Sequence, residues 1–176
     1  IDVRHSSYRI VVTPDLAVLK EARRAETYLN LFEYPIDAVV VNRVLSEQRS
    51  ADPFMRGLVE RQQRILTNIR QSFATLPLLE APMTMEEPLG LGPLSELGGQ
   101  LFGNTDPTEV LHVGATQRIE RRGNAYVLQI PMPNVEIKKL SLTKRGDELY
   151  VDVGNFRREI TLPMSLAALE PGVARV

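Results

Sequence analysis

Two periodicities divide this chain. Up to about residue 105, short β-branched runs alternate with stretches whose apolar residues recur every three or four positions; beyond it, apolar residues recur every second position. The run Ile36-Asp37-Ala38-Val39-Val40-Val41 is too short for a helix and reads as a buried parallel strand that breaks into Asn42-Arg43. Tyr8-Arg9-Ile10-Val11-Val12 is a second such run, ended by Thr13-Pro14-Asp15. Thr13 suits an N-cap, and Pro14 a first helical position, where the missing N–H leaves nothing unpaired. The helix so opened carries Val18, Ala22, Ala25, Leu29 and Phe32 in one stripe. Glu33-Tyr34-Pro35 stops it, because proline disfavours helical geometry in the residue before it. A connection of this length predicts parallel strands and a right-handed crossover.

Asp52-Pro53 opens the next helix as N-cap and first turn, with Leu58, Ile65, Ile69 and Phe73 as its core stripe. Arg56, Glu60, Arg61, Arg64 and Arg70 lie mostly off that stripe; interrupted by Glu60 and several Gln residues, they read as a solvated face rather than a phosphate patch. The chain returns as a strand through Leu76 to Pro82, with Pro at its margins as on a sheet edge. A loop from Met83 to Gly90 leads to a helix through Leu94, Leu97 and Leu101, ended by Gly103-Asn104. Residues 1–105 therefore predict β-α-β-α-β-α, part of a doubly wound parallel sheet. Three strands do not bury two layers of helices, so the pattern calls for strands from an upstream part of the protein or from a second copy.

Residues 106–176 predict short antiparallel strands. Gly123-Asn124, Gly146-Asp147 and Gly154-Asn155 are hairpin turns between alternating segments such as Leu140-Leu142 and Leu149-Val151-Val153. The expected architecture is a small antiparallel β-sandwich. A domain boundary is expected at about residue 106.

Composition narrows the chemistry. With a net charge of -1 over 176 residues, nothing in bulk charge favours a nucleic acid or a membrane surface. The absence of Cys excludes disulfides, thiolate metal sites, Cys nucleophiles and thiol-built arsenite sites from this sequence, and fits a reducing, cytoplasmic compartment. No apolar run reaches the roughly 20 residues that span a bilayer. The first residue, Ile1, suggests a fragment of a longer protein.

Candidate chemistry is sparse. In open α/β sheets ligands sit at the carboxyl ends of strands, which makes Asn42 a candidate ligand contact; an Asn that caps the turn after its strand is the plainer alternative. None of Lys20, Lys138, Lys139 and Lys144 stands in a G-x-x-x-x-G-K-[ST] loop, so this sequence by itself should not hydrolyse a nucleotide. Glu86-Glu87 is an adjacent acidic pair on a loop, where neighbours in sequence seldom converge on one proton. His5 and His112 lie in different halves without metal-ligand spacing, and no G-x-S-x-G elbow is present. The residues alone assign neither a catalytic group nor a metal ligand.

Three segments in order resemble a known family: Val11-Val12-Thr13-Pro14-Asp15, Val39-Val40-Val41-Asn42-Arg43-Val44, and Pro82-Met83-Thr84-Met85-Glu86-Glu87-Pro88-Leu89-Gly90-Leu91. Together they are similar to the carboxyl-terminal part of ArsA-type anion-transporting ATPases, which include arsenite-pump and tail-anchored-protein targeting members. Tyr126-Val127-Leu128-Gln129-Ile130-Pro131-Met132-Pro133, Arg145-Gly146-Asp147-Glu148-Leu149 and Arg157-Arg158-Glu159-Ile160-Thr161-Leu162-Pro163 resemble the α-crystallin-like, small-heat-shock-like domain of bacterial members. The resemblance implies a P-loop NTPase-like fold that binds ATP with Mg, whose phosphate loop, Mg-binding residues and water-activating Asp lie upstream of Ile1. It implies that Asn42 hydrogen-bonds adenine while Pro82 and Met83 pack on it, which suits an amide that both donates and accepts beside an apolar cover. It also implies a homo-oligomer or an upstream partner segment, and a membrane-protein partner or protein client. The zinc-binding Cys pair of targeting members would fall in Ser46-Glu47-Gln48-Arg49-Ser50, a departure that argues against a zinc-bridged targeting factor. The competing expectation is a non-catalytic chaperone-like or protein-interaction module.

Overall fold

The computed structural model describes residues 5–46, 52–114, 117–170 and 172. The expected zinc-ligand position therefore lies, beyond Ser46, outside the described residues. The chain is mixed α/β and falls into two compact units, the described residues of Ile1–Glu26 with Tyr34–Gly114, and of Thr27–Glu33 with Ala115–Val176.

In the first unit β1 (Tyr8–Val12), β2 (Ile36–Val44) and β3 (Leu78–Pro82) form a parallel sheet in the order β1-β2-β3. Helix α1 (Leu16–Leu31) connects β1 to β2, α2 (Pro53–Ser72) connects β2 to β3, and α3 (Leu91–Phe102) follows β3. Val39 and Val41 are wholly buried, and their row partners Ile10 and Val12 are nearly so. Directly paired residues share a face of a sheet. On the other face Val11, in one row with Val40 and Leu79, stays 60% exposed on the edge strand.

The helix boundaries follow their caps. Asp15, not Thr13, caps α1: its Oδ1 accepts the N–H groups of Ala17 (2.7 Å) and Val18 (3.3 Å), so the helix begins two residues later than expected. A carboxylate at that position also favours the positive end of the helix dipole. Glu33 takes a left-handed conformation (φ 59°) after the last turn. The stripe read from sequence is rotated: Leu19, Ala22, Glu26, Thr27 and Leu31 are buried, whereas Ala25 and Phe32 are exposed. On α2, Asp52 caps as expected, accepting from Phe54 N–H at 3.1 Å, with Pro53 in the first turn. Its buried face is Val59, Gln62, Ile65, Leu66 and Ile69, and Leu58 faces outward. Arg56, Arg61, Arg64 and Arg70 lie on the exposed side, Arg70 pairing with Glu80 at 2.6 Å.

The second unit holds a two-stranded antiparallel sheet, β4 (Arg118–Arg122) with β5 (Ala125–Gln129), and a three-stranded one, β6 (Leu140–Arg145), β7 (Glu148–Val153) and β8 (Phe156–Thr161). Each hairpin closes on two residues, with Gly123 and Gly146 both at φ 62°, a region that costs other L-residues about 1 kcal/mol or more. Val151, Val153 and Ile160 make the core with Leu31, and Leu128, Ile130, Leu140 and Leu149 pack around them. Tyr28 lies on Phe156 with ring centroids 3.8 Å apart, and Arg158 donates to the Leu31 carbonyl at 2.5 Å while pairing with Glu33 at 3.1 Å.

Candidate functional site at the carboxyl end of the parallel sheet

The expected strand break at Asn42-Arg43 is a bulge inside β2. Val41 pairs with Glu80 and Val44 with Pro82, so Asn42 and Arg43 together stand opposite Ala81 alone. The extra residue is accommodated by Arg43, whose φ of 61° is uncommon for a side chain of that size. The half-buried Asn42 turns its Oδ1 to accept the Arg43 N–H at 2.8 Å. Asn42 lies inside the strand rather than in a turn after it, and its Oδ1 is engaged by the backbone of the next residue.

The same strand end carries the other two candidates. Pro82 closes β3 on the sheet edge, where its missing N–H costs no ladder bond. The Met83 N–H then donates to the Val44 carbonyl at 2.8 Å, and the Met83 side chain is 45% exposed. Asn42, Pro82 and Met83 are thus gathered at one end of adjacent parallel strands, from positions about forty apart in sequence. The geometry can offer an amide edge beside an apolar surface. Glu86 and Glu87 are solvent-exposed on the following loop, and no group of three or more His, Asp or Glu able to hold a metal occurs among the described residues.

Sequence reasoning missed Gln62. This buried residue of α2 accepts the Leu45 N–H at 2.8 Å through Oε1 and donates from Nε2 to the Arg43 carbonyl at 3.3 Å. A signal was present: Gln62 stands three residues before Ile65 and seven before Ile69, a core position of the helix.

A second missed cluster lies at the amino end of the strands. Asp37 is wholly buried and accepts from Arg9 Nη2 (3.1 Å), Arg9 Nε (3.2 Å) and the Leu111 N–H (3.0 Å). Arg9 also donates to the carbonyls of Pro107 (2.7 Å) and Glu109 (2.8 Å) and lies over the Phe102 ring. Burial alone would raise the Asp37 pKa, but the hydrogen bonds and charge of Arg9, with the Leu111 N–H, outweigh it and hold the carboxyl below its ordinary value. A lone carboxylate inside an apolar run was its signature.

In the second unit, Tyr150 and Glu159, and Asp152 and Arg157, are cross-strand partners on β7 and β8. The Arg157 pair at 2.6 Å holds Asp152 below its ordinary pKa, whereas hydrogen bonding to Glu148 raises Glu159.

A parallel α/β sheet with a bulged, amide-bearing strand, in one chain with an antiparallel β unit, describes a mixed α/β class of protein. Residues 1–103 match the family model described as anion-transporting ATPase, and residues 123–176 match the one described as an HSP20-like domain found in ArsA. The chain belongs to the anion-transporting ATPase family. It is 36% identical over 174 residues to the "Putative arsenical pump-driving ATPase 1" of Aquifex aeolicus, covering 97% of this chain and 44% of that protein. Its identity to the "Putative arsenical pump-driving ATPase" of Prosthecochloris vibrioformis is 34% over 173 residues, 96% of this chain and 42% of the relative. The chain thus spans somewhat less than half the length of the curated relatives it matches.

Proposed function

We propose that this chain supplies the adenine side of an ATP site in an ArsA-like ATPase, whose ATP binding and hydrolysis drive anion transport or protein handling. The observation that carries the reading is the bulged end of β2, where Asn42 stands beside Pro82 and Met83. Asn42 contacts the purine edge through its amide N–H groups, and Pro82 and Met83 cover the base. In this reading the sheet belongs to a P-loop NTPase-like doubly wound fold. The phosphate loop and Mg-binding groups come from elsewhere in the natural protein, so the chain by itself is inactive. Val11, exposed on the edge strand beside the half-buried Val40 and Leu79, supports further elements of the protein, or of a second copy, packing on that side.

Residues 1–105 are proposed as the nucleotide-binding module and 106–176 as a small-heat-shock-like β-sandwich that engages a protein client or a membrane-protein partner. A cytoplasmic location and the absence of any nucleic-acid partner belong to the same proposal. No helix among the described residues is long and apolar enough to cross a membrane. The alternative, a non-catalytic chaperone-like module, is favoured by the HSP20-like match of residues 123–176.

Asn42→Ala in the intact gene product should weaken ATP binding by about 1 to 3 kcal/mol, read by nucleotide titration. An unchanged titration rejects the adenine role, and a gene product without a G-K-[ST] loop rejects the ATPase in favour of the chaperone-like module.

A further inference from the structure

We propose that Gln62 is the positioning residue through which helix α2 holds Asn42 in register for a purine base; the inference rests on the adenine-side reading above. A two-against-one bulge interrupts the ladder, and the Arg43 carbonyl inside it and the Leu45 N–H just past the end of β2 both require partners. One buried amide meets both. Gln62 Oε1 takes the Leu45 N–H at 2.8 Å, and Nε2 reaches the Arg43 carbonyl at 3.3 Å. Val44 lies between these two anchors; the left-handed Arg43 Cα comes immediately before the first, and the Asn42 Oδ1 is fixed on the N–H of Arg43. A strained backbone of this kind persists only when surrounding structure over-determines it.

The clamp has a specific consequence for Asn42. With Oδ1 committed to the Arg43 N–H, the Nδ2 donors are oriented by the plane of the amide, and that plane follows the Arg43 peptide. Gln62 holds the following peptide at the Arg43 carbonyl, one Cα beyond that N–H, and so limits how the Arg43 residue can turn. A hydrophobic residue at position 62 would leave a carbonyl and an N–H without these partners and free Arg43 to leave its left-handed conformation, turning the N–H on which the Asn42 Oδ1 is fixed. A purine contact built on Nδ2 would lose its direction, while contacts to a triphosphate, which approach from elsewhere, would not. Gln62 therefore acts on base selectivity rather than on overall nucleotide affinity.

The test compares Gln62→Leu, Gln62→Glu and Asn42→Ala in the intact gene product, titrated with fluorescent ATP and GTP analogues and, by competition, with inorganic tripolyphosphate. Folding is followed by circular dichroism. The expected result is a fall of about five-fold in the ATP-to-GTP affinity ratio for Gln62→Leu, with tripolyphosphate affinity unchanged. Gln62→Glu keeps the acceptor for Leu45 and loses only the donor, so it should fall between wild type and Leu; it also stands in if the Leu variant does not fold. An Asn42→Ala variant that loses base selectivity beside Gln62 variants that keep it overturns the positioning role and leaves the adenine reading intact. Selectivity unchanged in all three overturns both, and equal losses of ATP, GTP and tripolyphosphate affinity would mark Gln62 as merely structural.

Discussion

Single side chains decide the geometry at both ends of the parallel sheet. At the amino end the buried Asp37 carboxylate satisfies Arg9 and the Leu111 N–H together, so Asp37→Ala strands a partly buried guanidinium and should cost about 2 to 4 kcal/mol by urea denaturation. The sign of the pH dependence follows from the lowered pKa. A carboxyl with a folded-state value below its unfolded one contributes stability above the unfolded value, and that contribution is lost as pH falls through the folded one. Stability should therefore decline below about pH 4 in the wild type and decline less steeply in Asp37→Asn, as measured by denaturant titrations at successive pH values. At the carboxyl end, Asn42 is legible in sequence as a polar stop after an apolar run. Its place in a bulge inside the strand is not legible, because a bulge depends on where the neighbouring strand pairs. Gln62 escaped for a related reason: a polar residue on a helix stripe reads as an interruption until the carbonyl and N–H it serves are known.

At the scale of elements, α1 shows where apolar periodicity misleads. Its sequence stripe runs through Val18, Ala22, Ala25, Leu29 and Phe32, but the buried side includes the polar Glu26 and Thr27 and ends in Leu31. Thr27 donates to the Pro133 carbonyl at 2.7 Å, a bond between residues 106 positions apart. Such a partner turns a polar side chain into a core one. Leu31, wholly buried among Val151, Val153 and Ile160, completes the core of the β unit. Leu31→Ala should cost about 2 to 5 kcal/mol, with the amide signals of β7 and β8 losing exchange protection first. Protection confined to losses in the parallel sheet would reject that assignment. The hairpins, by contrast, were readable from their Gly-Asn and Gly-Asp pairs. Gly146→Ala, which places a side chain at φ 62°, should destabilise by about 1 to 2 kcal/mol.

At the scale of the whole molecule, the apolar surface left uncovered is informative. Leu91 is 89% exposed, and Met85 and Leu89 are also open, so none of them contributes to a core among the described residues. Leu91→Ser should change the stability of this chain by less than about 0.5 kcal/mol. A much larger cost in the intact gene product, measured the same way, would show that other parts of the protein cover α3. The chaperone-like alternative makes a separate prediction: excess of the whole chain should suppress aggregation of a heated client, followed by light scattering. No suppression would count against a holding role for the β unit.

What the sequence determined by itself was local: the β-α-β-α-β-α order, the change to period two, the Asp52-Pro53 helix start and the glycine turns. Each depends on contacts within a few residues or on which side of an element is apolar. The family was legible too, because its motifs are contiguous. Tertiary structure alone decided the bulge at Asn42, the Gln62 clamp, the burial of Asp37 and the place of Leu31 in the β core. Those features join residues tens of positions apart, and a one-dimensional pattern carries no record of which distant hydrogen-bonding group a polar side chain will meet.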